Sequence, residues 1–180
     1  MWAYIICAAL WTGITIGWLI PVIRKRMVHE IFAAFGVGGF FTLLTLSFSG
    51  TWTTLDILAL RIIGFILHAT GVLFVASGFI HLRHYGKPTD AWEQTTVIIR
   101  KGVYGIVRHP LFFGTAVCTL GIIFTHLSFY TAIFGAACII CLFMASWKED
   151  AYNIGKFGDE YRQYMKNVPL FHPFGRLVKK

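Results

Sequence analysis

Arg108 and His109 stand side by side ahead of Pro110 in the stretch GVYGIVRHPLFFG, Gly102 to Gly114, and Glu149 and Asp150 follow Trp147 in WKED. A proline commonly occupies the first turn of a helix and drives the residue before it toward extended backbone. Arg108 and His109 are therefore expected just ahead of a helix N-terminus, where unpaired N–H groups and a partial positive charge already favour an anion. Such a corner would hold a carboxylate or a phosphate. The plainer role for the same residues is an interfacial anchor and a helix cap. The two acids are read at the C-terminal end of a later helix, where they oppose its dipole and so need another reason to be there.

The elements that must position these groups belong to a membrane. Hydrophobic residues make up 57% of the 180 residues, aromatic residues 17% and charged residues only 13%, too apolar for a soluble domain of this size. A span needs about 20 apolar residues to cross a hydrocarbon core of about 30 Å. Five runs approach that length: Trp2 to Ile23, Ile31 to Phe48, Leu55 to Leu82, Leu111 to Thr125 and Phe129 to Trp147. They predict an all-α integral membrane bundle of about five transmembrane helices. The last two runs are separated only by His126-Leu127-Ser128, so they form a tight antiparallel hairpin that brings the acids level with Arg108 and His109. One domain is expected over residues 1–180, with three spans in 1–82, a polar loop in 83–110, the hairpin in 111–147 and a polar tail in 148–180.

Charge orients the bundle. The first run ends in Arg24-Lys25-Arg26 and carries no positive flank before it, unlike a cleavable secretory signal, so it is expected to be a retained span with its N-terminus outside. Arg24, Lys25, Arg26, Arg83, Lys87, Arg100, Lys101, Arg108, Lys148 and the basic residues of the tail then all fall on the cytoplasmic side. Arg61 is the exception, read as snorkelling outward or pairing with Asp56 or a neighbouring helix. This bias accounts for the formal net charge of +8 without nucleic acid, and anionic lipid headgroups are the secondary partner. The oligomeric state is not encoded in any motif.

The cytoplasmic side is thus where a soluble polar cofactor would bind. GKPTDAWEQ has the composition of a turn, Thr95 to Arg100 (TTVIIR) is short and β-branched enough to be extended, and Lys101-Gly102 turns again. Gly155 and Gly158 are expected to break the helix after the fifth span and let the tail fold back, with Tyr152, Phe157, Tyr161, Tyr164, Phe171 and Phe174 forming a lid or resting at the interface. The resulting pocket has a cationic pair, an acidic pair, Tyr104, and an apolar wall from Val97, Ile98, Ile99 and Phe112. A ligand with a cation, a carboxylate and a flat aromatic part matches it, and S-adenosylmethionine has all three.

Cys7, Cys118, Cys138 and Cys141 lie in apolar runs with no charge nearby to lower a thiol pKa, so even Cys138-x-x-Cys141 reads as inert. His68, His81, His84 and His126 would serve a haem or metal protein, but no paired histidine spacing recurs on a second span, and no metal ligands are assigned.

GVYGIVRHPLFFG, KED and FGDEYRQYMKNVPLFHPF, taken in order, resemble the membrane methyltransferases that include isoprenylcysteine carboxyl methyltransferase and phosphatidylethanolamine N-methyltransferase. The resemblance covers roughly Thr95 to Phe174. It implies S-adenosylmethionine contacts at Thr96, Val97, Ile98, Ile99, Tyr104, Arg108, His109, Pro110, Leu111, Phe112 and Glu149, with Arg108, Glu149 and Asp150 nearest the chemistry. On this reading Arg108 and His109 grip the cofactor carboxylate, and Asp150 or Glu149, with His109 second, accepts the proton of an amine acceptor. Two positions depart from the pattern: Phe112 is often tyrosine, and Ala145 stands where the prenylcysteine enzymes place an arginine. The acceptor expected is a lipid or lipophilic molecule entering from the inner leaflet, foremost a phospholipid headgroup amine; an isoprenylcysteine carboxylate is the alternative. Sterol reductases share the broader fold, but the intact Arg-His-Pro and acid pair point away from reduction.

Overall fold

A computed structural model describes residues 1–24, 27–86 and 95–171. Helix α1 (Trp2–Ile14) runs through a π turn (Thr15–Leu19) into α2 (Ile20–Arg24). It is followed by α3 (Val28–Phe48), α4 (Leu58–Tyr85), a 3-10 turn (Gly102–Gly105), α5 (Pro110–Thr125), α6 (Phe129–Phe157) and α7 (Asp159–Asn167), with no strand among the described residues. In hydrocarbon a backbone must satisfy its own polar groups, which leaves the helix as the form these apolar runs can take.

Four helices are long and apolar enough to span a membrane: Trp2–Leu19, Val28–Phe48, Leu58–Tyr85 and Phe129–Phe157. Of the five spans expected, α5 is the short one. Its 16 residues rise about 24 Å, less than a hydrocarbon core of about 30 Å. Burial explains the difference: α5 packs on α3, α4 and α6 and buries Gly114, Ala116, Cys118, Thr119, Gly121, Ile122 and Ile123, so it is the centre of the bundle rather than a lipid-facing rod.

Small residues set the helix spacing. Gly64, Gly71 and Gly78 of α4 are buried seven residues apart and face Gly121, Gly114 and Pro110 of α5. A Cβ on Gly64 would lie 2.9 Å from the Gly121 carbonyl oxygen, and one on Gly71 would lie 2.6 Å from that of Gly114. Helices in lipid associate through such close contacts because the hydrophobic effect does not separate one apolar neighbour from another. Gly36 against Leu142 and Gly39 against the Cys138 sulfur do the same between α3 and α6, so Cys138 is a packing residue.

At the end away from the candidate site, the α5–α6 hairpin is closed by a capping box: the Ser128 Oγ accepts from the Thr131 N–H at 3.1 Å, and the Thr131 Oγ1 accepts from the Ser128 N–H at 2.9 Å. The Leu55 N–H donates to the Leu127 carbonyl at 2.8 Å. Arg61 pairs with Asp56 at 2.9 Å, the structural role foreseen for it. At the other end, Thr95 to Arg100 is irregular but not helical, and Gly102 turns with φ +58°, where any side chain would run into His81. The expected GKPTDAWEQ turn falls almost wholly on 87–94, outside the described residues, as does Phe174.

One expectation is corrected. Helix α6 does not end near Trp147 or break at Gly155; it continues to Phe157 and stops at Gly158, whose φ is +60°. Glu149 and Asp150 therefore lie inside a helix, so opposition to a helix-end dipole is not what singles them out. Their face is. Thr131, Gly135, Cys138, Leu142 and Ala145 form the buried stripe of α6, and the same stripe runs on to the acids.

Candidate active site

Pro110 opens α5 at its first position, and His109 caps it with φ −121° and ψ 69°, the extended side of backbone space that a following proline demands. This fixes Arg108 and His109 at the helix mouth, facing the inner stripe of α6. The Arg108 Nη2 donates to the Asp150 Oδ2 at 2.7 Å and its Nε to Oδ1 at 3.2 Å. The His109 Nε2 lies 2.8 Å from the Asp150 Oδ1, and its Nδ1 lies 3.2 Å from the Glu149 Oε2. The cationic and acidic corners, about forty residues apart in the chain, meet as one cluster.

The tail completes it. The Tyr161 hydroxyl of α7 donates to the Asp150 Oδ1 at 2.7 Å. The Arg108 Nη1 donates to the carbonyl of Val168 at 2.6 Å and to that of Met165 at 3.3 Å, and the Arg108 backbone N–H donates to the Pro169 carbonyl at 3.0 Å. The Tyr164 hydroxyl donates to the Tyr104 carbonyl at 2.6 Å. Tyr161, Tyr164 and Val168 form a buried knot on which Ile98, Ile154, Phe157 and Met165 pack, and Phe171 lies edge-on to Phe113 and Phe143. Gly158 lets the chain reverse so that α7 reaches back over the cluster.

Burial sorts the charged groups. The Asp150 side chain is 4% exposed and that of Arg108 is 9%, whereas Glu149 is 31% exposed. A buried ion pair is tolerated when its remaining donors and acceptors are also filled, which the tyrosine and the tail carbonyls do here. Burial alone would lower the His109 pKa. The carboxylates of Glu149 and Asp150 at its two ring nitrogens outweigh that and raise it to about 9, so the ring is an imidazolium at neutral pH. Burial, then the charge of Glu149, pushes the Tyr104 phenol far up, and burial with Asp150 does the same to Tyr161; both remain neutral hydroxyls.

The remaining expected residues divide. Phe112 stacks near His109 with ring centroids 6.3 Å apart. Tyr104 is half-buried and feels the charge of Glu149. Thr96 and Val97 are exposed, and the Thr96 N–H donates to the Gly86 carbonyl, tying the loop to the end of α4. Ile98 and Ile99 line a shallow groove with Tyr85, Arg100, Lys101 and Glu160. Pro110 and Leu111 touch Gly78 in the α4–α5 interface, so their side chains serve packing. Among the described residues no group of three or more His, Cys, Asp or Glu is placed to hold a metal.

Sequence reasoning missed four contributors. Tyr161, expected only as a lid or interfacial aromatic, bonds directly to Asp150; its three-residue spacing from Tyr164 is the available signal. The Met165 and Val168 carbonyls carry no sequence signal at all. His29, buried at the start of α3, feels the charges of both Glu149 and His109, and no motif around it in the sequence marks it.

Fold and site together define a polytopic helical membrane protein with a buried, neutralised cluster of ion pairs at one end of the bundle. The chain belongs to the phospholipid methyltransferase family, whose model matches residues 60–162. It is also 26% identical over 137 residues to the protein-S-isoprenylcysteine O-methyltransferase of Xenopus laevis, an alignment covering 72% of this chain and 43% of that protein. The chain therefore spans less than half the length of that relative. No solved structure matches it. Membership in a methyltransferase family implies a methyl donor.

Proposed function

We propose that this protein is an integral membrane methyltransferase that uses S-adenosylmethionine to methylate a lipid headgroup amine at the cytoplasmic boundary. The observation that carries the reading is the cluster joining Arg108 and His109 to Glu149 and Asp150. The basic residues Arg83, Arg100, Lys101 and Lys148 lie toward the same end of the bundle and support a cytoplasmic site.

The donor set fits this cofactor. Glu149, the more exposed acid, would meet its cationic groups, and the His109 imidazolium at the mouth of α5 would meet its carboxylate. Thr96, Val97, Ile98, Ile99, Tyr104 and Phe112 would flank its adenosine and methyl ends. When bound, the group supplies a methyl carbon activated by a sulfonium. Arg108 and Asp150 act through their neighbours: Asp150 holds His109 in orientation, and Arg108 fastens Asp150 to the tail. The α7 knot and Phe171 exclude water, which keeps donor and acceptor at near-attack distance in a shielded site.

An amine acceptor is favoured because Ala145, fully buried one turn before Glu149, offers no cation for a carboxylate. The second reading, a carboxylate on a prenylated cysteine, is supported by the Xenopus relative. Pure protein incubated with methyl-labelled S-adenosylmethionine and total lipid extract decides between them. Label in amine phospholipids, lost in Glu149→Gln, is the expected result. Label appearing only in a prenylcysteine ester establishes the alternative, and absence of donor binding by folded protein removes both.

A further inference from the structure

An amine acceptor arrives protonated and must shed a proton before it can attack, yet the cluster offers no vacant base. Both Asp150 oxygens take donors from Arg108, with His109 and Tyr161 adding to Oδ1, and His109 has a carboxylate at each ring nitrogen. Glu149 is paired with His109 and, on the reading above, would meet the cation of the donor. A proton acceptor must come from another element packed against the site.

Helix α3 supplies one, from the part of the chain outside the matched residues 60–162. The His29 side chain is 8% exposed, its Nε2 lies 3.5 Å from the Glu30 Oε1, and its ring centroid is 4.9 Å from that of Tyr152 on α6. Tyr152 is three residues along α6 from Glu149, and the charges of Glu149 and of His109 at the mouth of α5 both reach the His29 ring. Glu30 is itself held: the Trp18 indole N–H donates to its Oε2 at 2.9 Å. Trp18 belongs to the π turn Thr15–Leu19, an irregularity that re-aims side chains and recurs at functional sites. Tyr152, whose ring packs on that of His29, is 45% exposed.

We propose, resting on the methyltransferase reading above, that His29 is the proton acceptor for the amine, with Glu30 orienting its ring and Tyr152 covering it. With Nε2 turned to Glu30, Nδ1 takes a proton from the headgroup ammonium. The nitrogen lone pair so freed forms the N–CH3 bond as the S–CH3 bond breaks, and that bond's electron pair stays on sulfur. The imidazolium, stabilised by Glu30 and Glu149, returns its proton to water once the product leaves.

The test uses the full chain in phosphatidylethanolamine nanodiscs. His29→Gln is expected to bind labelled S-adenosylmethionine within about twofold of wild type while kcat falls about 100-fold, the scale of general base catalysis. The acid limb of the wild-type rate profile, set by protonation of the accepting imidazole, flattens in the variant. Should His29→Gln lose donor binding, His29→Ala with added imidazole decides: a restored rate supports the assignment and an unrestored one overturns it. Normal donor binding with kcat within about threefold and an unchanged acid limb also overturns it. Without donor, carbethoxylation of His29 by diethyl pyrocarbonate, read by peptide mass spectrometry, rises severalfold in Tyr152→Ala; no rise overturns the covering role. Wild type that binds no donor fails the underlying methyltransferase reading; wild type that methylates only a carboxylate, which needs no base, keeps that reading and overturns the amine acceptor together with this inference; and wild type that methylates the amine while His29→Gln keeps its rate overturns this inference alone.

Discussion

Asp150 shows how one buried carboxylate can organise a site. Its partners come from the residues just ahead of α5 and from α7, so removing any one leaves a charge or a hydrogen-bonding group stranded out of water. Arg108→Ala should cost about 3–5 kcal/mol of stability, the scale for breaking a buried pair from one side, and Tyr161→Phe about 1–2 kcal/mol. Thermal unfolding in detergent checks both, and equal, negligible shifts would contradict the buried-hub account. The His109 imidazolium adds a pH signature. Its folded pKa is raised from 6.5 to about 9, so the stabilisation is fully present below about pH 6.5 and is lost as pH rises through about 9. The unfolding midpoint should decline from neutral pH toward pH 10 in wild type and flatten in His109→Gln.

At the scale of helices, register depends on where side chains are missing. Gly71→Val sets a branched side chain against the Gly114 carbonyl and should cost at least 1–3 kcal/mol by forcing α4 and α5 apart. Gly155→Ala, where a Cβ meets nothing within 4 Å, should be neutral or stabilising by up to about 1 kcal/mol, as for an alanine in an open helix position. Unfolding midpoints of the pair separate close helix approach from mere helix propensity. The start of α5 was legible because Arg-His-Pro marks a helix mouth locally, and its end because His126-Leu127-Ser128 is too polar and short to continue a span. The end of α6 was not, because hydropathy falls at Lys148 while the helix is carried on by packing against α7 rather than against lipid.

For the molecule as a whole, α7 folded back from Gly158 turns a helix-end cluster into an enclosed site. Gly158 has φ +60° and ψ −134°, a region that costs a side chain about 1–3 kcal/mol. Gly158→Ala should therefore loosen α7 and weaken donor binding severalfold without changing helix content; unchanged affinity in a binding assay would show that closure does not depend on this reversal.

Hydropathy, charge bias and the Arg-His-Pro and acid motifs are properties of neighbouring residues, so the sequence by itself determined a helical membrane protein with charged groups gathered at one boundary. Tertiary structure alone decided which acid is sealed against Arg108 and which is the more exposed, that α5 is a short central helix, that Tyr161 and two tail carbonyls finish the ion-pair cluster, and that His29 lies where the charges of Glu149 and His109 reach it. Those outcomes depend on the rotation and depth of each helix against its neighbours. Glycine contacts and one backbone reversal set these, and both act between segments that are far apart along the chain.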